Sequence, residues 1–404
     1  ASASHRRIAR GDMADNRIPL IKADLPALES LESSFREILG NGRVTNFGPY
    51  VQQFEAEAGA YLGTEAVCLS SATAGLIMTL QALGVARGSR VVMPSFSFVA
   101  TAQAVLYAGC TPVFVDIAED GNVDPYDLAR VLRSTDQVGA ALLVHMYGLP
   151  CRTDAIASVV DETRRSRQGP LPVLYDAAHA FGSAHRGVRV GAAGAAEIFS
   201  TSVTKVLTSV EGGIVSSRDA SLIARLRKMR NYGIEANYDA QYPGLNGKMS
   251  EFHALVGLRN LARLDELLDA RTRRAAFYAD QIHAATSFRV MAAPAGTLST
   301  YKDYTILLPP RFKASRDAIM QFLATRGVET RAYFFPPIHE QTFFRTYADR
   351  PLPVTEDISR RVITVPFYST ITEDEMRTVA TVLADAEAAC KPKQTGRARQ
   401  EARA

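Results

Sequence analysis

An α/β fold with a mostly parallel central sheet and helices on both faces is predicted by three features of this chain. Short apolar runs recur along it, and many are continuous rather than alternating, as strands covered on both faces are. Helical patterns lie between several of these runs, which is the alternation of a parallel sheet. Past residue 265 the pattern changes, which predicts a second, smaller α+β unit.

The strands are expected at Ala66–Leu69, Arg90–Pro94, Thr111–Asp116, Ala140–Tyr147, Val173–Asp176, Glu197–Thr201 and Gly213–Ser216. Helices are expected between them at Leu76–Gly84, Ala100–Ala108 and Ile156–Arg165. Leu255, Leu258, Leu261, Leu264 and Leu268 recur at helical spacing, so one long helix is expected over Phe252–Leu268. Further on, Tyr304–Leu308 and Val362–Val365 read as strands and Arg316–Thr325 as a helix. Thr372–Ala389 reads as a closing helix, its acidic first turn matched to the helix dipole.

The expected organisation is an extension at 1–12, an N-terminal segment at 13–49 packing with the smaller domain, a large domain at 50–265, a small one at 266–390 and a disordered basic tail at 391–404. The chain has 404 residues, 47% hydrophobic and 22% charged, which suits a soluble globular protein of two domains. It shows no apolar run long enough to span a bilayer and no secretory pattern, so no membrane partner is expected. The formal charge is +4, carried by the two ends. The body between them is slightly acidic, which argues against nucleic-acid binding. Cys68, Cys110, Cys151 and Cys390 are scattered without metal-site spacing, so no metal is expected and a reducing cytoplasm is the simple reading.

The chemistry centres on Lys205. No other charged residue lies between Glu197 and Glu211. A lone ammonium among Ser, Thr, Val and Phe is expected to be partly buried, and burial turns a lysine toward the neutral, nucleophilic amine. Asp176 ends an expected strand, 29 residues before Lys205. It either caps the next turn or, at the carboxyl edge of the sheet, reaches the same cleft as Lys205. A lysine that forms an imine and an acid that protonates a pyridine nitrogen are the two groups pyridoxal phosphate needs most. His179 is then placed to donate to the ring's phenolic oxygen, or is a satisfied interior histidine. Ser70–Leu76 opens a helix after a strand with small and hydroxyl residues, a simple N-cap or a phosphate site. Ser200 is a second candidate hydroxyl. In Pro94-Ser95-Phe96-Ser97-Phe98, one phenylalanine would stack on the ring and the other would enter the core.

Together these residues resemble the DegT/DnrJ/StrS sugar aminotransferases, enzymes of fold type I that use pyridoxal 5′-phosphate. The resemblance covers roughly 25–385, with its elements in family order. Gly48-Pro49 with Phe54-Glu55, Ser71–Leu76, Pro94–Thr101, Val144–Gly148, Asp176–Ala180, Phe199–Gly213 and Asn246 with Met249–Glu251 carry it. It implies that Lys205 holds the cofactor covalently and shuttles the proton, that Asp176 pairs with the ring nitrogen, and that His179 stands near the ring oxygen. Ala72, Thr73, the Ala74 backbone and Ser200 would take the phosphate, and Phe98 would stack on the ring. It implies a homodimer with shared active sites, with Asn246 reaching the partner's phosphate. Ala72 departs from the family's usual glycine, and Ser202 from its usual His or Asn.

The function so implied is transfer of an amino group, from L-glutamate, to the ketone of a nucleotide-linked keto-deoxysugar. An aminocyclitol or aminobenzoate precursor is the alternative substrate, and a non-catalytic cofactor-binding regulator the remote one. A nicotinamide dehydrogenase is disfavoured, because no G-x-G-x-x-G follows an early strand.

Overall fold

Residues 17–166, 169–310, 312 and 315–390 are described by the structure, a computed structural model. The expected extension at 1–12 and basic tail at 391–404 lie outside the described residues. Two helices lead in, α1 (Leu28–Asn41) and α2 (Pro49–Leu62). Strands and helices then alternate through β1 (Glu65–Leu69), α3 (Ala72–Ala82), β2 (Arg90–Pro94), α4 (Val99–Tyr107) and β3 (Thr111–Val115). The alternation continues through α5 (Pro125–Ser134), β4 (Val138–Val144), α6 (Thr153–Ser166) and β5 (Val173–Asp176). A small hairpin, β6 (Ala184–His185) and β7 (Val188–Arg189), precedes β8 (Ala196–Ser200), β9 (Gly213–Ser217) and α7 (Ala220–Met229).

Seven of these strands form one sheet in the order β1-β9-β8-β5-β4-β2-β3. Strands β3, β2, β4, β5 and β8 are parallel, and β9 runs against both β8 and β1. Alternate residues of one strand serve different cores, as the pleat requires. Val91 and Met93 pack with α3 and α4, whereas Val92 packs with α5 and α6. Both faces of the sheet are therefore covered, which explains the continuous apolar runs. Local signals set the helix ends: Ser71, Asp124 and Asp219 accept backbone N–H groups at N-caps, and Gly42 and Gly63 close α1 and α2 in the left-handed region.

The long helix expected over 252–268 is two helices, α8 (Glu251–Leu261) and α9 (Leu264–Ala285). The chain breaks at Arg263, whose φ/ψ of −115/11 is non-helical. Its guanidinium donates to Asn260 Oδ1 and to the carbonyls of Asp24 and Leu25, which holds the kink in place. Leu255, Leu258, Leu261, Leu264 and Leu268 are all buried on either side, so the apolar spacing runs unchanged through the break.

A second sheet, β10 (Arg289–Val290), β12 (Tyr304–Leu307) and β13 (Val362–Val365), is antiparallel, and β11 (Thr297–Leu298) pairs with β6. It shares a core with α9, α10 (Arg316–Thr325) and α12 (Glu373–Cys390). Ile18 joins this smaller core, but α1 packs on α8 instead, so the described part of the N-terminal segment, residues 17–49, contacts both units. Asp116, just past β3, accepts the N–H groups of Val354 and Thr355 at the start of α11 (Pro353–Arg361). Ile338 N–H donates to the carbonyl of Ser95, and His339 N–H to its hydroxyl. These bonds pin the segment before α11 over the carboxyl edge of the large sheet.

Candidate active site

The carboxyl ends of β1, β2, β5 and β8 and the start of β9 meet along one edge of the sheet, where open α/β sheets bind ligands. Gly213 pairs there with both Leu69 and Ser200. Only a glycine fits: a Cβ at Gly213 would lie 2.4 Å from the backbone nitrogen of Ala72. The start of β9 can thus press against the first turn of α3. That turn, the lysine loop and the segment around Tyr333 enclose a cavity of about 410 Å³.

Lys205 lines this cavity with Asp176, His179, Ser200, Ala72, Thr73 and Phe98. Burial pushes the Lys205 ammonium down to about 8, and the Lys302 ammonium pushes the same way. Asp303, Asp176 and Glu211 act against them. Removing Lys302 takes away a positive neighbour, so the ammonium form of Lys205 must gain. Labelling of Lys205 by an amine-reactive reagent in cofactor-free protein should therefore show a midpoint near pH 8. In Lys302→Met the midpoint should rise toward the ordinary lysine value. An unmoved midpoint would contradict this electrostatic account.

Asp176 is buried, and both of its oxygens have donors. Thr101 Oγ1 donates to Oδ2 at 2.7 Å and the Ala178 N–H to Oδ1 at 3.1 Å. Burial raises its pKa above the usual carboxylate value against the pull of these bonds. A cationic N–H in the cavity would offset that cost. His179 has its pKa pushed well below the usual imidazole range, by burial and then by the Lys205 and Lys302 ammoniums. It is neutral at pH 7 and so carries one N–H. Its Nδ1 lies 3.6 Å from Asp303 Oδ2. At that distance no hydrogen bond fixes the tautomer, so either ring nitrogen can carry the N–H that the expected donation to a ring oxygen needs.

Ser71 caps α3 and its hydroxyl accepts the Ala74 N–H at 3.1 Å. The Ala74 backbone is thus engaged in the cap, whereas Ala72 and Thr73 line the cavity itself. Phe98 is 59% exposed with its ring at the cavity, and Phe96 is fully buried in the core. Asn246 is exposed, is bridged to Asn231 and does not line this cavity. Ser202 lines it and donates to Glu211 at 3.2 Å.

Sequence reasoning missed Lys302, Asp303 and Phe334, which close the cavity from the smaller unit. Tyr333 lines the cavity, but Lys248 is bonded to Asn231 and Arg331 paired with Glu329. A larger hollow of about 550 Å³ beside α6 reaches His145 and Glu197. Both are already satisfied: His145 Nδ1 accepts the Cys151 N–H, Nε2 faces Glu197 at 3.2 Å, and the other Glu197 oxygen accepts the Ala193 N–H. His339, Glu340 and Glu356 cluster as metal ligands would, but the Arg360 guanidinium lies 2.7 Å from Glu340 and 3.7 Å from Glu356 and already supplies the positive charge.

The donor set of the 410 Å³ cavity fits pyridoxal 5′-phosphate. It offers an amine near neutrality, a buried carboxylate for the ring nitrogen, a helix N-terminus with hydroxyls for the phosphate, and an uncovered aromatic face.

Comparison with known proteins places the chain as a whole. The model of the DegT/DnrJ/EryC1/StrS aminotransferase family matches residues 28–384. The dTDP-4-amino-4,6-dideoxy-D-glucose transaminase of Escherichia coli is 32% identical over 368 residues, covering 90% of this chain and 96% of that one. The UDP-N-acetyl-3-dehydro-alpha-D-glucosamine 3-aminotransferase of Acidithiobacillus ferrooxidans is 31% identical, covering 86% and 93%. The solved structure of DesI with its TDP-sugar product superposes with a TM-score of 0.85 at 34% identity, covering 92% of this chain and 93% of that one.

Proposed function

The chain belongs to the DegT/DnrJ/EryC1/StrS aminotransferase family and is a pyridoxal 5′-phosphate-dependent aminotransferase, and we propose that it moves an amino group from L-glutamate to the ketone of a nucleotide-linked keto-deoxysugar. The observation that carries the reading is Lys205 and Asp176 lining one cavity at the carboxyl edge of the sheet. When bound, the cofactor supplies a conjugated pyridine ring that takes up the electrons left when a proton leaves the carbon next to the substrate nitrogen.

Lys205 would hold the cofactor covalently. Its depressed pKa leaves a useful fraction of neutral amine near pH 7, and its Nζ would also be the base that moves the proton. Asp176, steadied by Thr101 and Ala178, would keep a proton on the ring nitrogen. Thr73, the first-turn N–H groups of α3 and Ser200 would hold the phosphate. Phe98 would cover one face of the ring. Tyr333 and Phe334 also line the cavity, the Phe334 ring centre 6.2 Å from that of Phe98.

The reading includes a homodimer with shared sites. Asn246 is exposed and away from its own chain's cavity, as a residue serving a partner's site would be. A cytoplasmic location accords with four free cysteines, three of them buried. No helix among the described residues is long and apolar enough to cross a membrane.

The test is to supply the purified protein with cofactor, L-glutamate and a panel of nucleotide-linked keto-sugars and to weigh the products. An amino sugar is expected. Amination of a ketocyclitol or an aminobenzoate precursor, with every nucleotide sugar left untouched, would overturn the proposal.

A further inference from the structure

We infer that Lys302 and Asp303 form a charge-balanced subsite that holds a neutral hydroxyl of the sugar beside the reacting carbon, an inference that rests on the keto-sugar reading above. The two residues immediately precede β12 and line the same cavity as Lys205 and Asp176. Both are buried, 6% and 4% exposed. Lys302 Nζ donates to Asp303 Oδ1 at 2.6 Å and lies 5.6 Å from the centre of the Tyr333 ring.

The pair is not self-sufficient. Asp303 Oδ2 is buried with no hydrogen-bond partner among the described residues. His179 Nδ1, at 3.6 Å, is beyond hydrogen-bond reach. An ammonium has three donors, and one of them is spent on Oδ1. A donor with protons to spare and an unmet acceptor thus stand side by side among the lining residues, the acceptor just beneath the cavity surface, so the Asp303 carboxylate must turn outward to meet a ligand. A buried carboxylate oxygen without a donor is costly, so the site favours a ligand that completes it.

Among the groups a transaminase substrate presents, an alcohol completes both. Its oxygen accepts from Lys302 and its O–H donates to Asp303 Oδ2. A carboxylate accepts from Lys302 but then meets the Asp303 charge. Because the pair carries no net charge, it gives an anion little attraction. The α-carboxylate of the amino donor and the phosphates of the nucleotide are therefore poor occupants, and a sugar hydroxyl is a good one. Both residues line the cavity that Lys205 lines, which puts the hydroxyl in the same chamber as the carbon that receives nitrogen.

The test compares a keto-sugar with its analogues deoxygenated in turn at each carbon flanking the ketone. For the wild type, kcat/KM should fall about 10- to 100-fold for one of these analogues. For the double variant Lys302→Met/Asp303→Leu, which removes the pair together and leaves no lone charge, the ratio should collapse to within about 3-fold of unity. A general loss of folding or of cofactor affects both substrates and cancels in the ratio. Should the double variant not fold, Asp303→Asn carries the same comparison, with the ratio expected to drop at least about 5-fold. A ratio near unity in the wild type, or one kept by the variants, overturns the subsite. A wild type that aminates neither the sugar nor its analogues overturns the substrate class instead, and the two failures are thereby distinguished.

Discussion

Lys205→Ala is expected to cut amine transfer by at least about 10⁴-fold while leaving the protein folded. In the proposed function this lysine both attaches the cofactor and moves a proton at the substrate carbon, whereas Lys302 in the same cavity is bonded to Asp303. Its removal should cost the fold little, because the folded state already disfavours its ammonium form. Burial and Lys302 hold that group near 8, so below this pH the fold carries the strain of a confined charge that alanine does not have. Thermal unfolding of the cofactor-free variant should stay within a few degrees of the wild type at about pH 7. Turnover at more than a small fraction of the wild-type rate would remove Lys205 from the chemistry.

Asp176→Asn is the second large effect, a drop on the order of 10²- to 10⁴-fold in transamination with the cofactor still attached. Asparagine has nearly the same shape; its carbonyl can accept from the Ala178 N–H while its amide donates to Thr101 Oγ1, whose hydroxyl can turn to Ser97, so the local packing should survive. What would be lost is the negative charge that, in the proposed role, keeps a proton on the ring nitrogen. Without that proton the ring is a poorer home for electrons. Cofactor content measured beside the rate separates the two contributions. A variant that keeps its cofactor and loses less than about 10-fold in rate would show that Asp176 is a structural cap.

Much of this architecture was legible because its signals are local. The strands read as continuous apolar runs since both sheet faces are covered, and Lys205 was conspicuous because its neighbours carry no charge. Phe96 and Phe98 were expected to divide between core and cavity, and the structure assigns the buried role to Phe96. The failures have equally physical causes. The break at Arg263 leaves the leucine spacing intact, and a distant pair of carbonyls at Asp24 and Leu25 holds it.

Lys302 and Asp303 were the larger omission. In sequence they are two adjacent charges ahead of a short strand, a pattern that ordinarily faces water. Only the return of the chain through Tyr333 and Phe334, fastened at Ser95, turns that position into the wall of a cavity. No local pattern encodes such closure.

Lys205 and Lys302 line the same cavity, so the decisive question is which amine carries the cofactor. The direct measurement is to load the protein with pyridoxal 5′-phosphate, reduce it with borohydride, digest it and locate the added mass by tandem mass spectrometry. The expected result is one reduced cofactor adduct, on the peptide that contains Lys205. An adduct on Lys302 or Lys248 with Lys205 unmodified, or no adduct in protein that has taken up the cofactor, would contradict it.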